Sequence, residues 1–250
     1  MAETTKLGSK CSQYIRDGQK IIVKSGPTTR MAEAETMKFV RGTTDVPVPE
    51  VYDAYRDSKS GQVIIVMEYV EGERLDKVWG RLSREDKMSI TVQLSSYFME
   101  LRGIHGRFIG SIDGSPCADP YFASDPEAYG PYDNEVQFNR GLVKAWLTER
   151  EDEPFIQLLC DTLIQTMTGH KIVLTHNNLD PRNILVRGSE VVAILDWEQA
   201  GYYPEYWEYC RALWRPNWHS NWMKERVVDK ILKPYPQELA VMWNTSDITW

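Results

Sequence analysis

The polar residues between His176 and Asp196 are of the types that hold a metal ion beside a phosphate group. Asn183 follows His176 by seven residues, and Asp196 follows Asn183 by thirteen. Amide and carboxylate oxygens are hard ligands, and Mg²⁺ usually binds through one or two carboxylates together with phosphates and waters. Phosphoryl transfer asks a protein to hold phosphates, place metal ions and orient a nucleophile. The spacing alone is a weak signal, but Leu179–Asn183, the apolar strand after them and Asp196-Trp197-Glu198 on the next strand strengthen it. Together they indicate metal-assisted phosphoryl transfer, with Asn183 and Asp196 as the metal ligands.

The elements that must position these residues form a sheet-rich first part and a helix-rich remainder. Asp17-Gly18 between two apolar runs predicts a hairpin over Lys10–Lys24, and apolar periodicity predicts a helix over Thr29–Arg41. Further strands are predicted at Val51–Arg56, Gln62–Tyr69, Ile184–Val186 and Val191–Leu195, and further helices at Arg84–Arg102, Asn134–Arg150 and Pro154–Met167. The sequence therefore predicts an α+β fold, with a small antiparallel sheet lobe and one helix over residues 1–70 and a mainly α-helical lobe over residues 71–250.

Several segments together resemble one family of enzymes. His176–Val186 with Ile194–Glu198 resembles the aminoglycoside phosphotransferase and choline kinase superfamily, which is related to the eukaryotic protein kinases. Matches to its fungal small-molecule branch are Val46–Pro49, Phe108–Gly114 and Ala200–Tyr209. The resemblance extends from about residue 20 to residue 214. It implies a bilobal protein-kinase-like fold that binds ATP and Mg²⁺.

The resemblance also implies a set of nucleotide-binding residues. Lys24 matches the strand lysine that contacts the α- and β-phosphates, and Glu33 matches its partner on the following helix, with Glu35 as the alternative. Glu68 to Val70 matches the hinge segment whose backbone meets the adenine. No glycine-rich phosphate loop stands out before Lys24, so the grip on the phosphates is expected to rest on Lys24 and the metal.

Asn178 is the residue that departs from the family pattern, because the family has its catalytic aspartate there. An amide can orient a hydroxyl group but cannot accept its proton, and general-base catalysis contributes on the order of 10²–10⁴ in rate. His176 matches a histidine that holds this loop in shape. Asp180 is either a replacement base or a residue that faces the phosphate. The asparagine is either natural or an isosteric exchange that traps the enzyme with its ligands.

The substrate is expected to lie against the helical lobe beyond Asn178. Candidate substrate-binding residues are Asp180, Tyr203, Glu205 and Glu208, with Tyr202, Tyr206, Glu135, Phe138 and Asn139 nearby. Aromatic and acidic side chains together suit a cationic amine. The alternative is that Tyr203–Tyr209 is a packing motif of the fold.

Composition and charge exclude several other classes of protein. The formal charge of −7 argues against nucleic acid as the main partner, and the longest apolar runs are far below the ~20 residues of a membrane helix. The polar segment Met1–Lys10 has no signal-peptide character. Four cysteines without metal-ligand spacing indicate reduced thiols and a cytoplasmic location. The sequence leaves the oligomeric state open.

Two functions remain open at this point. The first is an ATP- and Mg²⁺-dependent phosphotransferase that acts on a hydroxyl of a small molecule and is impaired at Asn178. The second is a pseudokinase or a repurposed kinase fold that binds a small molecule, with a non-phosphoryl reaction such as cyclisation. Lys24, Asn183 and Asp196 favour the first, whereas Asn178 and the thin phosphate loop favour the second.

Overall fold

The computed structural model describes residues 10–122, 129–147, 154–214 and 216–246. The chain divides into two compact units, Met1–Tyr97 with Pro181–Glu198 and Phe98–Asp180 with Gln199–Trp250. The strands are β1 Lys10–Arg16, β2 Gln19–Ser25, β3 Val51–Arg56, β4 Val63–Glu68, β5 Glu73–Arg74, β6 Ile172–Thr175, β7 Ile184–Arg187, β8 Glu190–Ile194 and β9 Gly201–Pro204. The helices are α1 Met31–Thr43, α2 Leu75–Val78, α3 Arg84–Gly103, α4 Glu135–Leu147, α5 Pro154–Thr166, α6 Trp207–Ala212, α7 Asn221–Lys224, α8 Val227–Ile231 and α9 Pro236–Ser246.

The main sheet of the first unit is antiparallel, with the strand order β1-β2-β4-β3. The predicted hairpin is present, and Asp17 and Gly18 take the positive φ values that its turn needs. Strand β4 buries Val63, Ile65 and Met67 on alternate positions, as a strand with one face on a core should. Lys24 on β2 pairs with Ile65 in this register.

Helix α1 presents a buried face that includes a carboxylate. Glu33, Met37 and Val40 are spaced four and three residues apart, so they lie on one face, and all three are buried. Glu33 also lies in the first turn, where the helix dipole favours negative charge. The helix begins two residues later than predicted and ends two residues later, where Thr44 donates its hydroxyl to the Val40 carbonyl at 2.7 Å.

A second, three-stranded sheet of the first unit has the order β5-β7-β8. Its hairpin β7-β8 comes late in the chain and carries Asp196 just beyond its end. The backbone N–H of Ile194 donates to the Pro47 carbonyl at 2.8 Å. The extended segment around Pro47 therefore anchors the hairpin end that presents Asp196.

The second unit is mostly helical and contains the two-stranded sheet β6-β9. Its core is aromatic: the Trp207 ring stacks on that of Tyr203 with centroids 5.7 Å apart and meets Phe138 edge-on at 5.1 Å. The predicted helix over Asn134–Arg150 runs to Leu147, and its last three residues lie outside the described ones. Across the described residues, no helix combines the length and apolar character that crossing a membrane requires.

Candidate active site

A buried lysine lies among three carboxylates in the first unit. The Nζ atom of Lys24 is 2.8 Å from Glu33 Oε1, and Lys24 is only 4% exposed. The same atom is 2.9 Å from Asp196 Oδ1 and 3.2 Å from Glu198 Oε2. Glu35, the alternative partner, instead pairs with Lys38 at the surface. The structure thus brings Lys24, Glu33 and Asp196 together and adds Glu198.

Three carboxylates determine the charge around Lys24. Burial by itself would lower the pKa of Lys24, but the carboxylates of Glu33, Asp196 and Glu198 outweigh burial and raise it. Burial raises the pKa of Glu33 against the pull of Lys24. Carboxylate oxygens such as those of Asp196 and Glu198 are also the ligands that Mg²⁺ prefers in proteins.

Asp196 has an unusual backbone conformation for a residue with a side chain. Its φ is 66°, in the left-handed region, which costs free energy and is found more often at functional sites. The next residue back, Leu195, donates its N–H to the carbonyl of Asn183 at 2.7 Å. Asn183 ends a 3₁₀ turn that begins at Pro181. The predicted metal ligands are therefore tied to each other through the backbone.

The predicted adenine-binding segment lies at the end of β4. Glu68 is the last residue of that strand and pairs with Ile21. Its N–H donates to the Glu50 carbonyl at 2.8 Å, and its carboxylate accepts from the Glu50 N–H at 3.1 Å. Val70 follows outside the strand and is half-buried. Both the side chain and the backbone N–H of Glu68 are therefore engaged by Glu50.

In the second unit, a buried glutamate shapes the loop that carries Asn178. Glu208 Oε2 accepts the backbone N–H of His176 at 2.7 Å, and Oε1 accepts that of Asn177 at 3.1 Å. Burial raises the pKa of Glu208 to about 7, against the charge of Arg102 and these two N–H groups, which lower it. Asn177 has a φ of 68°. The carboxylate of Glu208 thereby holds the backbone next to Asn178 in a strained form.

A second buried carboxylate, Asp119, braces the same loop. Its Oδ2 accepts from Asn177 Nδ2 at 2.8 Å and from the indole N–H of Trp207 at 3.0 Å. Its Oδ1 accepts the backbone N–H of Tyr121 at 2.7 Å. Arg211 completes the group as an ion pair, with Nε 2.9 Å from Oδ2. Asp119 therefore ties the segment before α4 to Asn177 and to helix α6.

The remaining predicted residues of the second unit are placed differently from one another. His176 is fully buried, with its ring edge-on to Phe98, whereas Asn178 and Asp180 are half-buried. Tyr203 is fully buried in the aromatic core. Glu205 is half-buried and accepts a hydrogen bond from the Tyr235 hydroxyl. Of the four predicted substrate contacts, Tyr203 and Glu208 are buried, whereas Asp180 and Glu205 retain exposed surface.

Two residues of the site were not predicted from the sequence. Glu198 follows the predicted metal ligand Asp196 by two residues, and this short spacing is the sequence feature that could have identified it. Asp119 lies 58 residues from Asn177 along the chain, and no local pattern marks it. It belongs to the loop network only because the fold brings distant segments together.

Comparison with known proteins assigns the family. The sequence profile of the phosphotransferase enzyme family matches residues 13–240. The chain belongs to this family. The predicted resemblance is thereby confirmed over most of the chain.

Solved structures support the same fold. Aminoglycoside phosphotransferase APH(4)-Ia is similar with a TM-score of 0.66 and 14% identity, covering 100% of this chain and 82% of that one. A thermostable mutant of that enzyme, in ternary complex with ADP and hygromycin B, has a TM-score of 0.64 and 12% identity, covering 100% of this chain and 88% of that one. The GDP complex of aminoglycoside 2'-phosphotransferase-IIIa has a TM-score of 0.60 and 14% identity, covering 100% of this chain and 82% of that one. At these identities the likeness establishes the α+β, kinase-like fold that the sequence predicted.

The curated relatives match a shorter stretch. Subtelomeric hrmA-associated cluster proteins from two strains of Aspergillus fumigatus are 33% identical over 89 residues, which is 32% of this chain. The matched region spans 18% of the length of these relatives.

Proposed function

We propose that this chain transfers a phosphoryl group from ATP, with Mg²⁺, to a hydroxyl group of a small molecule, and that Asn178 slows the transfer. The observation that carries the proposal is Lys24, which is 2.8 Å from Glu33 and 2.9 Å from Asp196. A lysine is rarely buried without a reason, and this one is buried among carboxylates in a member of a phosphotransferase family.

The residues of the first unit fit a metal nucleotide. When bound, Mg·ATP supplies the phosphoryl group and the metal that offsets its charge. Lys24, aligned by Glu33, would hold the α- and β-phosphates, and Asn183 and Asp196 would hold the metal. Their donor set of one carboxylate and one amide suits Mg²⁺, and Glu198 adds a further carboxylate to the cluster. Glu68 and Val70 would meet the adenine through their backbone.

In the second unit, we propose that Asn178 orients the nucleophilic hydroxyl. Its amide cannot accept the proton, so the proton leaves late or to solvent, and a loose transition state tolerates this at a reduced rate. Asp180 and Glu205 are the proposed substrate contacts. Tyr203 and Glu208 are buried, so we assign them to supporting the loop. We further propose that the protein acts in the cytoplasm on a small polar alcohol.

Nucleotide binding is tested by thermal unfolding with ATP and Mg²⁺, with ATP and EDTA, and with GTP and Mg²⁺. A ligand at a hundredfold excess over its Kd stabilises the folded state by about 2.7 kcal/mol. We expect this gain only with Mg²⁺, and we expect Asp196→Asn to lose it, because asparagine fits the left-handed backbone but removes the charge. The matched control is Asp53→Asn, an exposed aspartate of β3 in the same unit. No stabilisation by either nucleotide would refute the proposed site.

Transfer is tested with Asn178→Asp and a panel of small alcohols. Restoring the carboxylate should raise Mg²⁺-dependent nucleotide turnover by on the order of 10²–10⁴. The second candidate function, a ligand-binding pseudokinase or a repurposed fold, is favoured by Asn178 and by the sequence before Lys24, in which no glycine-rich phosphate loop stands out. It predicts no gain from Asn178→Asp, and it predicts any other activity, cyclisation included, to survive Asp196→Ala.

A further inference from the structure

A groove in the second unit is lined by none of the residues assigned to phosphoryl transfer. It has a volume of about 230 Å³ and is formed between helices α6 and α9 and the segments that join them. Its walls include Tyr209, Trp218, Arg226, Asp229, Leu239 and Trp243. We call it the tryptophan groove. Pockets for drug-sized ligands run to roughly 300–1,000 Å³, so this one suits a smaller molecule.

Two tryptophans form its apolar wall and remain open to solvent. Trp218 is 49% exposed and Trp243 is 41% exposed, although indole side chains are usually mostly buried. Their rings stand 74° apart with centroids at 5.9 Å, so they form a corner that a flat apolar body can enter. Small-molecule sites are concave and lined mainly by apolar and aromatic side chains, which this corner supplies.

The polar end of the groove offers hydrogen-bond donors. Asp229 Oδ1 accepts a hydrogen bond from the Tyr209 hydroxyl at 2.9 Å, and Oδ2 accepts one from Arg226 Nε at 2.6 Å. Both carboxylate oxygens are therefore engaged, and the Arg226–Asp229 pair is neutral, so the preference for an acceptor rests on the other N–H groups of Arg226. Arg226 is 78% exposed, and within the described residues its terminal guanidinium nitrogens donate to no other group. A guanidinium has five N–H donors in a planar fork that fits a carboxylate.

The backbone of Arg226 adds a third observation. Its φ is 51° and its ψ is 47°, a left-handed conformation that glycine or asparagine adopts with less strain. Arg226 follows Glu225, the residue that caps the end of helix α7, and its N–H donates to the Met223 carbonyl at 3.0 Å. A left-handed residue is common at such a helix end, so this conformation determines where the Arg226 side chain leaves the backbone.

We propose that the tryptophan groove binds a small monocarboxylic acid with a flat apolar body. The body lies in the corner between Trp218 and Trp243, and the carboxylate accepts from the terminal nitrogens of Arg226. This second ligand site does not depend on the proposed phosphotransfer.

The test measures the affinity of three probes that share one phenyl body, by calorimetry and ligand-observed NMR on the full chain. The probes are 3-phenylpropionate, 3-phenylpropionamide and 3-phenylpropylamine. We expect the carboxylate to bind about tenfold or more tightly than the amide, and the amine most weakly, because only the carboxylate forms a charge-assisted pair with arginine. Equal affinities, or no binding at about 10 mM of any probe, the range of very weak association, would overturn the proposal.

Two variants separate the walls from the polar end. Arg226→Asn suits the left-handed backbone, so the chain folds, and it should abolish the preference for the carboxylate while leaving amide binding unchanged. Trp218→Ala should weaken all three probes about fivefold or more, since aromatic side chains dominate such contacts. The control Arg81→Asn removes an exposed arginine of the first unit and should leave the affinities of all three probes unchanged. A carboxylate preference that persists in Arg226→Asn would contradict the assignment.

Discussion

Replacing Asp119 by alanine should be among the most destabilising single changes in the second unit. The side chain of Asp119 is fully buried and forms an ion pair with Arg211, whose side chain is 10% exposed. It also accepts hydrogen bonds from Asn177, Trp207 and Tyr121. Removing one partner of a buried ion pair costs about 3–5 kcal/mol, because the other charge is left buried. Each buried donor left without an acceptor costs about 1–3 kcal/mol when it cannot reach water.

These contributions do not simply add, because Arg211 and the three donors relax together. We therefore expect Asp119→Ala to lower the unfolding free energy by about 3–5 kcal/mol, the range for a broken buried pair. The loss is a large fraction of the about 5–15 kcal/mol that typically holds a domain together. The measurement is equilibrium urea unfolding followed by far-UV circular dichroism.

The matched control is Asp113→Ala, in the same segment of the chain. Asp113 is exposed and accepts the backbone N–H of Ser115 at 3.0 Å, a bond that water can replace. We expect that control to lose less than about 1 kcal/mol, as an exposed hydrogen bond should. Native-state hydrogen exchange adds a local readout. In Asp119→Ala the backbone N–H of Asn177 should exchange faster than in the wild type, through local opening of the loop and not through global unfolding. A loss no greater than that of Asp113→Ala would refute the reasoning.

Two further predictions concern stability. The hydrogen bond to Glu135 raises the pKa of His170, with burial opposing and Glu238 adding to the rise, so its stabilisation is complete at low pH and is lost as the pH rises through the folded-state pKa. The wild type should therefore exceed His170→Gln in unfolding free energy more at about pH 6 than at about pH 9, and a difference independent of pH in urea titrations would contradict this. A Cβ on Gly201 would lie 2.5 Å from a backbone oxygen, whereas Gly103 has open space around it. Gly201→Ala should cost about 1–3 kcal/mol, and Gly103→Ala should be neutral or gain up to about 1 kcal/mol; equal melting temperatures would show that the contact relaxes.

The sequence predicted elements well where the signal was local. Asp17-Gly18 determined the first hairpin, and the spacing of apolar residues located helix α1 to within two residues at each end. The hairpin before Asp196 was found because its two strands are short, apolar and joined by a glycine turn. In each case a few consecutive residues are enough to select the conformation.

The sequence could not predict which polar residues are buried. Tyr203 and Glu208 were interpreted as candidate substrate contacts because aromatic and acidic residues alternate there, but both are buried. A buried carboxylate and an exposed one look alike in sequence, since the difference lies in the N–H groups that other segments supply. For Glu208 those donors are 31 and 32 residues away in the chain, and for Asp119 the distance is greater still.

Because other residues hold the loop in shape, the substitution Asn178→Asp tests the chemistry at position 178 without disturbing the backbone. The backbone at His176 and Asn177 is fixed by the carboxylate of Glu208, and the Asn177 side chain is fixed by Asp119. Neither restraint uses the side chain of Asn178. Asparagine and aspartate have the same shape, so Asn178→Asp changes charge at a position whose backbone is already set. The preorganised loop removes most of the reorganisation that a new carboxylate would otherwise require. A gain of activity in Asn178→Asp would therefore report proton transfer itself, whereas an unchanged rate alongside intact Mg·ATP binding would favour the second candidate function, a ligand-binding pseudokinase or a repurposed fold.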